Sequence, residues 1–376
     1  MNESKATRYQ RLRRRAQAAN AASAAVMMAI VALTPAARWM SGFAHQFASG
    51  LSGFSEAVVS LTIFVVVLVV LWELAMLPAL VYVARRVDLR YGKGRASIDD
   101  VLAAQAQASV VALPAALLAS ATVITSVAAA GRWWWIAAAI LLAALFAAAM
   151  HGAPVLLAMM ADTRPIARPS LVTRLAALST RANVSVSGIR EWVIDRDAST
   201  TALVSGLGRS RHVLLSSELT RHWSDDEVAV VVAHELAHVA YRDLWRAFAL
   251  NVLVLVVALF VADTALRVLG HRLYLGAAPD LAALPFLGLV SSIVWLLATP
   301  IRHAQSRRHE RRADAFALAL TGEPEAFGAA IRRLSARSLS EERPSVLTRW
   351  LYHRHPSVAE RLAFAEAYQR RTRSGS

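Results

Sequence analysis

The chain has 376 residues, of which 56% are hydrophobic, with a mean hydropathy of +0.43. This composition is too apolar for an ordinary soluble protein and predicts a polytopic membrane protein. The net charge of +15 could indicate nucleic-acid binding, but the arginines cluster at the ends of apolar runs, so we expect anionic lipid headgroups and no nucleic acid as partners. The absence of cysteine excludes disulfides, a thiol nucleophile and thiolate metal ligands.

Six apolar runs approach the length of about 20 residues that a helix needs to cross a bilayer. They cover residues 18–37, 57–84, 104–130, 133–160, 247–269 and 281–300 and predict about six transmembrane helices. A cleaved signal peptide is the alternative for the first run, although no small-residue cleavage site precedes Arg38. Glu73 and Asp263 lie inside runs, where they either line an intramembrane chamber or hydrogen-bond to neighbouring helices.

Basic residues concentrate at one side of these runs, which predicts that this side faces the cytoplasm. They precede the first run and follow the second, the fourth and the sixth, as in Arg8, Arg11, Arg13, Arg14 and Arg15 or Arg307, Arg308, Arg311 and Arg312. We expect an integral protein of a bacterial plasma membrane with both termini on the cytoplasmic side. The predicted organisation is a membrane region at 1–161 with four helices, a polar segment at 162–246, a transmembrane hairpin at 247–300 and a helical segment at 301–376.

The polar segment at 162–246 begins near Pro165 and Pro169 and has the pattern of a small α+β domain. A helix is predicted at Leu171–Asn183, and short strands at Ile189–Ile194, Ala202–Val204 and His212–Leu215. Gly206-Leu207-Gly208 predicts a hairpin turn between the last two strands. The strand at Ala202–Ser205 could align an extended peptide by strand addition, or it could be an ordinary structural strand.

Two histidines in the polar segment carry the chemistry. Ser224 starts a helix with a capping box to Glu227, and the helix carries His234, Glu235 and His238. Histidines four residues apart lie on one side of a helix, so both imidazoles can bind one metal ion. The intervening Glu235 then points to the open metal position, an arrangement typical of zinc hydrolases.

A site of this type needs a third protein ligand. Glu310 and Asp314 lie one helical turn apart in an arginine-rich stretch. We expect Glu310 to complete the zinc site, with one ion per chain, and Asp314 to accept the other ring N–H of a ligating histidine. A solvated, salt-bridged helix face is the alternative interpretation of the two carboxylates. An even number of crossings places both motifs on the same, cytoplasmic side, so one metal can be shared.

These motifs resemble those of the integral-membrane gluzincins of the type I CAAX prenyl endopeptidase and HtpX group. The resemblance rests on His234-Glu235-Leu236-Ala237-His238, Glu310 to Asp314, the strand-turn-strand from Thr201 to Leu215, and His355-Pro356-Ser357 with Glu360-Arg361-Leu362. A fainter similarity to the membrane region of the CAAX branch covers Leu77-Pro78 to Asp99-Asp100. The resemblance implies a mainly α membrane protein with a cytoplasmic, zincin-like α+β catalytic domain.

The resemblance also implies roles for residues around the metal. His355 would hydrogen-bond the oxyanion of a tetrahedral intermediate, and Arg361 would lie near the substrate. A surface histidine ahead of a helix N-terminus is the alternative for His355. Thr201, Ala202 and Val204 would align the substrate strand. Relatives carry asparagine at the position of Thr201, and a threonine hydroxyl cannot replace the separate donor and acceptor of an amide.

The expected function is hydrolysis of peptide bonds by zinc-activated water, with Glu235 as general base. The substrate is a peptide or protein, and the resemblance implies either CAAX-like carboxyl-terminal peptides or damaged and membrane proteins. A polytopic transporter and a non-catalytic membrane scaffold are the alternatives; the first leaves the metal motif unexplained. The sequence makes no prediction of the oligomeric state.

Overall fold

A computed structural model describes residues 4–92, 97–160, 162–192, 202–206, 208, 211–273, 275 and 280–374, with only the backbone described at 153–160. The chain forms two compact units. One, here called the membrane unit, comprises Arg8–Leu145 and Asn251–Ala298. The other, here called the site unit, comprises Met1–Thr7, Phe146–Leu250 and Thr299–Ser376.

Long apolar helices build the membrane unit. They are α1 (Lys5–Leu33), α2 (Ala36–Ala48), α3 (Phe54–Tyr82), α4 (Ile98–Ala130), α5 (Trp134–Met160), α9 (Asp243–Leu269) and α10 (Leu284–Leu297). A π-helical turn at Val83–Asp88 and a 3-10 turn at Leu89–Tyr91 extend α3. Each of the six predicted apolar runs is helical, and α2 is an additional helix that the hydropathy pattern did not indicate because it has only 13 residues.

The described helices provide fewer candidate membrane spans than the six predicted. Four helical stretches are long and apolar enough to cross a membrane, and a fifth is added if α10 and the following helix, bent by 46°, form one span. The predicted third span and most of the fourth lie in one helical stretch of 55 residues, Ile98–Gly152. It is interrupted only by a 3-10 turn at Gly131–Trp133, where Gly131 has a φ of 51°.

Both carboxylates inside the apolar runs accept hydrogen bonds from neighbouring helices, and Glu73 also lines a cavity between α3 and α4. Asp263 accepts hydrogen bonds from Trp134 Nε1 at 2.7 Å and from Arg267 Nε at 2.8 Å. Glu73 accepts hydrogen bonds from Gln105 and, at 3.0 Å, from the Ser109 hydroxyl. These bonds satisfy groups that would be expensive to leave unpaired in hydrocarbon.

A mixed sheet and seven helices build the described part of the site unit. The strands are β1 (Thr163–Pro165), β2 (Gly188–Trp192), β3 (Ala202–Ser205) and β4 (His212–Ser216). The helices are α6 (Pro169–Arg181), α7 (Ser217–His222), α8 (Asp225–Ala240), α11 (Thr299–Thr321), α12 (Pro324–Ser338), α13 (Val346–Tyr352) and α14 (Val358–Ser374).

The strand order is β1-β2-β4-β3, in which β2 and β4 are parallel and the other pairs antiparallel. The predicted helix at 171–183 and the three predicted strands are present, and β3 and β4 form the predicted hairpin. The end of the second predicted strand, at 193–194, and Leu207 of the turn lie outside the described residues. β1 and α7 were not predicted, because three to six residues are too few for a periodic pattern.

Helix α8 is fixed on the sheet by its apolar stripe. Its N-terminus carries the predicted capping box, with the Ser224 hydroxyl accepting from the Glu227 N–H at 3.2 Å and the Glu227 carboxylate accepting from the Ser224 N–H at 2.9 Å. Val228, Val232 and Leu236 recur every four residues and are fully buried in a cluster that also includes residues of α6 and β4. His234 and His238 are displaced by two residues from this stripe, which places them on the opposite side of the helix.

Glu191 of β2 ties the sheet to α7. Its carboxylate accepts hydrogen bonds from Arg164 Nε at 3.0 Å, the Ser217 hydroxyl at 2.7 Å and the Thr220 hydroxyl at 2.8 Å. Burial raises the pKa of Glu191, but these hydrogen bonds outweigh burial and hold the pKa below its ordinary value of 4.5. A carboxyl with a depressed pKa stabilises the fold while it is ionised, and this stabilisation is lost as the pH falls through the depressed pKa.

We predict that Glu191→Gln lowers the free energy of unfolding by about 1–3 kcal/mol near neutral pH. The amide cannot accept the same charged hydrogen bonds. At about pH 4 the gap between variant and wild type narrows, because the unfolded wild-type chain then binds a proton that the folded carboxyl, with its depressed pKa, takes up only at lower pH. Thermal unfolding of the detergent-purified protein, followed by tryptophan fluorescence, measures both differences, with the exposed Glu366→Gln as control. An equal effect at both pH values would contradict the prediction.

Candidate metal centre

The candidate metal centre forms where α8 and α11 pack together. Four alanines on the facing sides, Ala233, Ala237, Ala313 and Ala317, are fully buried. Small side chains allow two helices to approach closely, so longer side chains next to them can meet. Glu310 and Asp314 follow the same buried side of α11, one turn apart. This packing brings the predicted ligands of the two helices together.

Three predicted ligands converge. His234, His238 and Glu310 each offer a ligand atom, and these atoms all lie within 4.8 Å of one another. His234 Nε2 lies 3.3 Å from Glu310 Oε2, and His238 Nε2 lies 3.6 Å from Glu310 Oε1. The two imidazole rings are nearly perpendicular, with centroids 4.9 Å apart. The structure thus places both Nε2 atoms and one carboxylate around a common point.

A carboxylate lies behind each of the two histidines. His234 Nδ1 is 3.0 Å from Asp314 Oδ1, the contact expected from the sequence. His238 Nδ1 is 3.0 Å from Asp243 Oδ2, at the first residue of α9. A carboxylate acceptor at Nδ1 fixes the tautomer that leaves Nε2 free to bind a metal and makes that nitrogen more basic. His238 is therefore held by a hydrogen bond with Nε2 toward the common point, whereas His234 Nδ1 has a carboxylate at ion-pair distance without hydrogen-bond geometry among the described residues.

Asp243 was missed by the sequence analysis. It lies after the end of α8, where Arg242 has a φ of 55° and turns the chain so that α9 begins. Arg312 of α11 donates a hydrogen bond to Asp243, and the guanidinium lies 4.1 Å from the centre of the Tyr241 ring. A carboxylate five residues after the second histidine was the available signal, but its direction depends on a backbone turn that the sequence pattern does not reveal.

The surroundings raise the pKa of both His234 and Glu235. Burial lowers the pKa of His234, but contacts with Asp314 and Glu310 outweigh burial and raise the pKa to about 9. Metal binding must therefore displace a proton from this imidazole. Burial raises the pKa of Glu235, against the lowering effect of the neighbouring His234 and His238. A glutamate with a raised pKa is suited to accept and return a proton near neutral pH.

The residues present fit a divalent metal of the zinc type. Two imidazole nitrogens and a carboxylate oxygen are a donor set that zinc prefers in catalytic sites, leaving one position for water or substrate. Glu310 Oε2 is buried and accepts no well-aligned hydrogen bond among the described residues. A buried, incompletely satisfied carboxylate oxygen is costly unless it has a further partner, and a metal ion supplies one.

His355 and Arg361, the two further residues predicted near the site, lie next to the ligands or to Asp314. His355 lies beside the ligands, with Nδ1 at 2.7 Å from Glu310 Oε2 and a side chain that is 65% exposed. Arg361 donates to both oxygens of Asp314, at 2.9 and 2.5 Å, so it contacts the residue behind His234. Its predicted place near the substrate stays a prediction.

The predicted substrate strand is at the edge of the sheet. Ala202 and Val204 belong to β3, whose one edge pairs with β4 and whose other edge carries no strand among the described residues. Thr201 lies outside the described residues. Alignment of a substrate by this strand stays a prediction.

Comparisons with known proteins agree with this geometry. The family model of peptidase family M48 matches residues 165–369, and the model described as the CAAX prenyl protease N-terminal region, five membrane helices, matches residues 2–158. The second region contains five helices, α1 to α5, of which the sequence analysis expected four.

The chain is 28% identical over 210 residues to the uncharacterized metalloprotease YhfN of Bacillus subtilis. The match covers 54% of this chain but only 49% of YhfN. It is 25% identical over 217 residues to a protease HtpX homolog of Acidiphilium cryptum, covering 52% of this chain and 72% of that relative. The crystal structure of S. mikatae Ste24p has a TM-score of 0.69 at 18% identity, covering 86% of this chain and 79% of that one. This last likeness shows the fold.

The membrane helices and the group of two histidines and a glutamate define an integral membrane protein of the metallopeptidase class. The chain belongs to peptidase family M48, whose model covers more than half of it.

We predict that Asp243→Asn weakens metal binding by about 10–100-fold, because His238 loses the charged acceptor that orients it. The amide keeps the size of the side chain, so gross misfolding is not expected. Competition between the purified protein and a chelator measures the affinity. Asp226→Asn is the matched control, because Asp226 lies at the start of α8 and is paired with Arg174. Equal affinities of the Asp243 variant and the wild type would show that His238 is oriented by other contacts.

Proposed function

We propose that the protein is an integral membrane zinc endopeptidase that hydrolyses peptide bonds with Glu235 as general base. The observation that carries this proposal is the convergence of His234, His238 and Glu310, with ligand atoms within 4.8 Å of one another and Glu235 between the two histidines. The donor set fits zinc, and membership in peptidase family M48 supports peptide bonds as the substrate class.

The residues of the chain divide the proposed reaction between them. A bound zinc ion would supply Lewis acidity to polarise the scissile carbonyl and to lower the pKa of water to about 7. Glu235, whose pKa is raised by burial, accepts the proton of the attacking water and returns it to the leaving amine. His355, beside Glu310 and largely exposed, donates a hydrogen bond to the developing oxyanion. Asp314 and Asp243 hold the two histidines in place.

The transporter alternative accounts for the apolar helices and the intramembrane carboxylates but leaves the metal motif unexplained. Glu73 and Asp263, its candidate intramembrane carboxylates, are bound by Gln105, Ser109, Trp134 and Arg267 of the same unit. Neither a transporter nor a non-catalytic scaffold explains why two histidines and a glutamate converge. The endopeptidase therefore accounts for more of the molecule.

We predict that Glu235→Gln abolishes cleavage of an unfolded model protein while the metal remains bound, because Glu235 is not a ligand. The metal content is expected to stay near one zinc per chain by elemental analysis, whereas His234→Ala loses both metal and activity. These are measured on detergent-purified protein with casein as substrate. Cleavage at the wild-type rate by the Glu235 variant would refute the assignment of the general base.

The substrate belongs to one of two classes under this proposal. The relatives named for HtpX and the CAAX prenyl protease region suggest damaged or membrane proteins on one side and prenylated carboxyl-terminal peptides on the other. Parallel assays with an unfolded membrane protein and a farnesylated peptide ending in a CAAX sequence separate them, with the Glu235→Gln variant as blank in both.

We further propose that the site and both termini face the cytoplasm, as the distribution of arginines favours. The chain has no cysteine, so a single introduced thiol reports its own location. We predict that Glu366→Cys on α14 reacts with a membrane-impermeant maleimide in inverted membrane vesicles and is protected in intact cells. Reaction in intact cells would reverse the proposed orientation.

A further inference from the structure

Helix α13 has an apolar face that the described protein leaves uncovered. Within seven residues, Val346 is 66% exposed, Leu347 69%, Trp350 49% and Leu351 39%. Tyr352 at its end is 42% exposed. A contiguous exposed patch of large apolar side chains on one short helix is unusual for a surface in water and marks a contact with another apolar phase.

Helix α13 lies beside the start of α11, which directly follows an apolar helix. His303 Nδ1 lies 3.3 Å from the carbonyl oxygen of Trp350, so α13 lies beside the first turns of α11. Helix α11 begins at Thr299, directly after the apolar helix α10 ends at Leu297. Ile301, in the first turn of α11, is itself 62% exposed. The exposed face of α13 therefore lies near the point where the chain leaves an apolar run.

The charges around α13 match an anionic lipid surface. Arg302 and Arg354 lie within range of each other's charge, and both act on His303. Arg354 follows α13 by two residues and is exposed. Cationic side chains next to an apolar helix face, together with a tryptophan and a tyrosine, are typical of helices that lie in the interface of a bilayer. Each arginine near an anionic surface contributes about 1 kcal/mol of attraction.

We propose that α13 is an interfacial membrane anchor, which lays Val346, Leu347, Trp350 and Leu351 into a lipid surface with anionic headgroups. A protein partner of similar size would more often present acidic groups for Arg354 and Arg302 at separate points, whereas headgroups supply negative charge along the whole rim. The inference concerns a contact with lipid and does not depend on the proposed function.

This anchor would set the height of the metal centre above the lipid. Arg307 Nη1 donates to the carbonyl oxygens of Arg349 and His353, at 3.0 and 2.7 Å, and so fixes the end of α13 to α11. His303, which contacts α13, and Glu310 are seven residues apart on α11. This separation is about 10 Å along the helix axis. His355 follows the end of α13 by three residues, and its Nδ1 lies 2.7 Å from Glu310 Oε2. The lipid contact and the metal ligand are thus joined through one short, hydrogen-bonded stretch of chain.

The absence of cysteine makes a direct test simple. The full chain, with Leu347→Cys carrying the only nitroxide label, is reconstituted in nanodiscs that contain phosphatidylglycerol. Accessibility is measured to oxygen, which concentrates in lipid, and to a water-soluble nickel chelate. We expect high oxygen and low nickel accessibility at position 347, and the reverse for the control label Glu366→Cys on α14. Val346→Cys repeats the measurement at a second exposed site, in case one label disturbs α13.

Two outcomes would overturn the proposal. Nickel accessibility at position 347 equal to that at position 366 would show a helix in water. Low accessibility to both reagents would show that protein, such as a second copy of the chain, covers the patch.

A second experiment tests whether the contact of α13 with lipid requires anionic headgroups. We expect the ratio of oxygen to nickel accessibility at position 347 to fall in phosphatidylcholine nanodiscs, where Arg302 and Arg354 both lose their anionic partners, and to fall by a smaller factor, at most about fivefold, with Arg354→Gln in phosphatidylglycerol. Arg370→Gln, an exposed arginine on α14, is the matched control and leaves the ratio unchanged. Equal ratios in the two lipids would refute the role of anionic headgroups.

Discussion

The close packing of α8 against α11 is the constraint on which the site depends. Buried alanines at the contact let the helix axes approach, and only then can a glutamate from one helix reach two histidines of the other. A carboxylate brought into such an interior without partners would cost several kcal/mol. Glu310 has such partners in His234, His238 and His355. The contact that positions these side chains would also bind the metal, so we expect helix packing and metal binding to be coupled.

A second layer of carboxylates makes that contact directional. Asp314 and Asp243 each lie 3.0 Å from a histidine Nδ1 and are themselves held by Arg361 and Arg312. The arginines come from α14 and α11, so elements far apart in sequence determine how each imidazole is turned. Removing a charge from this layer changes the ligands' orientation before it changes the fold. The arginine-rich composition around the second motif thus has a specific use at the site.

Local patterns predicted much of this from the sequence. The capping box at Ser224, the spacing of His234 and His238 and the pair Glu310 and Asp314 are properties of single helices, where residue spacing determines direction. The position of Asp243 depends on a turn, and the pairing of Arg361 with Asp314 depends on the packing of distant helices; spacing specifies neither. Very short elements such as β1 and α7 also escaped, because a periodic pattern needs more residues. The separate apolar runs at 104–130 and 133–160 did locate the boundary between α4 and α5, where the 3-10 turn at Gly131–Trp133 lies.

The same reasoning explains why function could be inferred further than substrate. A hydrolytic site is defined by a few side chains at fixed distances, and these follow from helix geometry once two helices are known to pack. Substrate recognition was expected at Thr201, Ala202 and Val204, on a short strand and the residue before it, and helix spacing does not specify what such positions bind. Loop and strand-edge positions are constrained least by local sequence patterns, whereas the helices that carry the predicted metal ligands are constrained most.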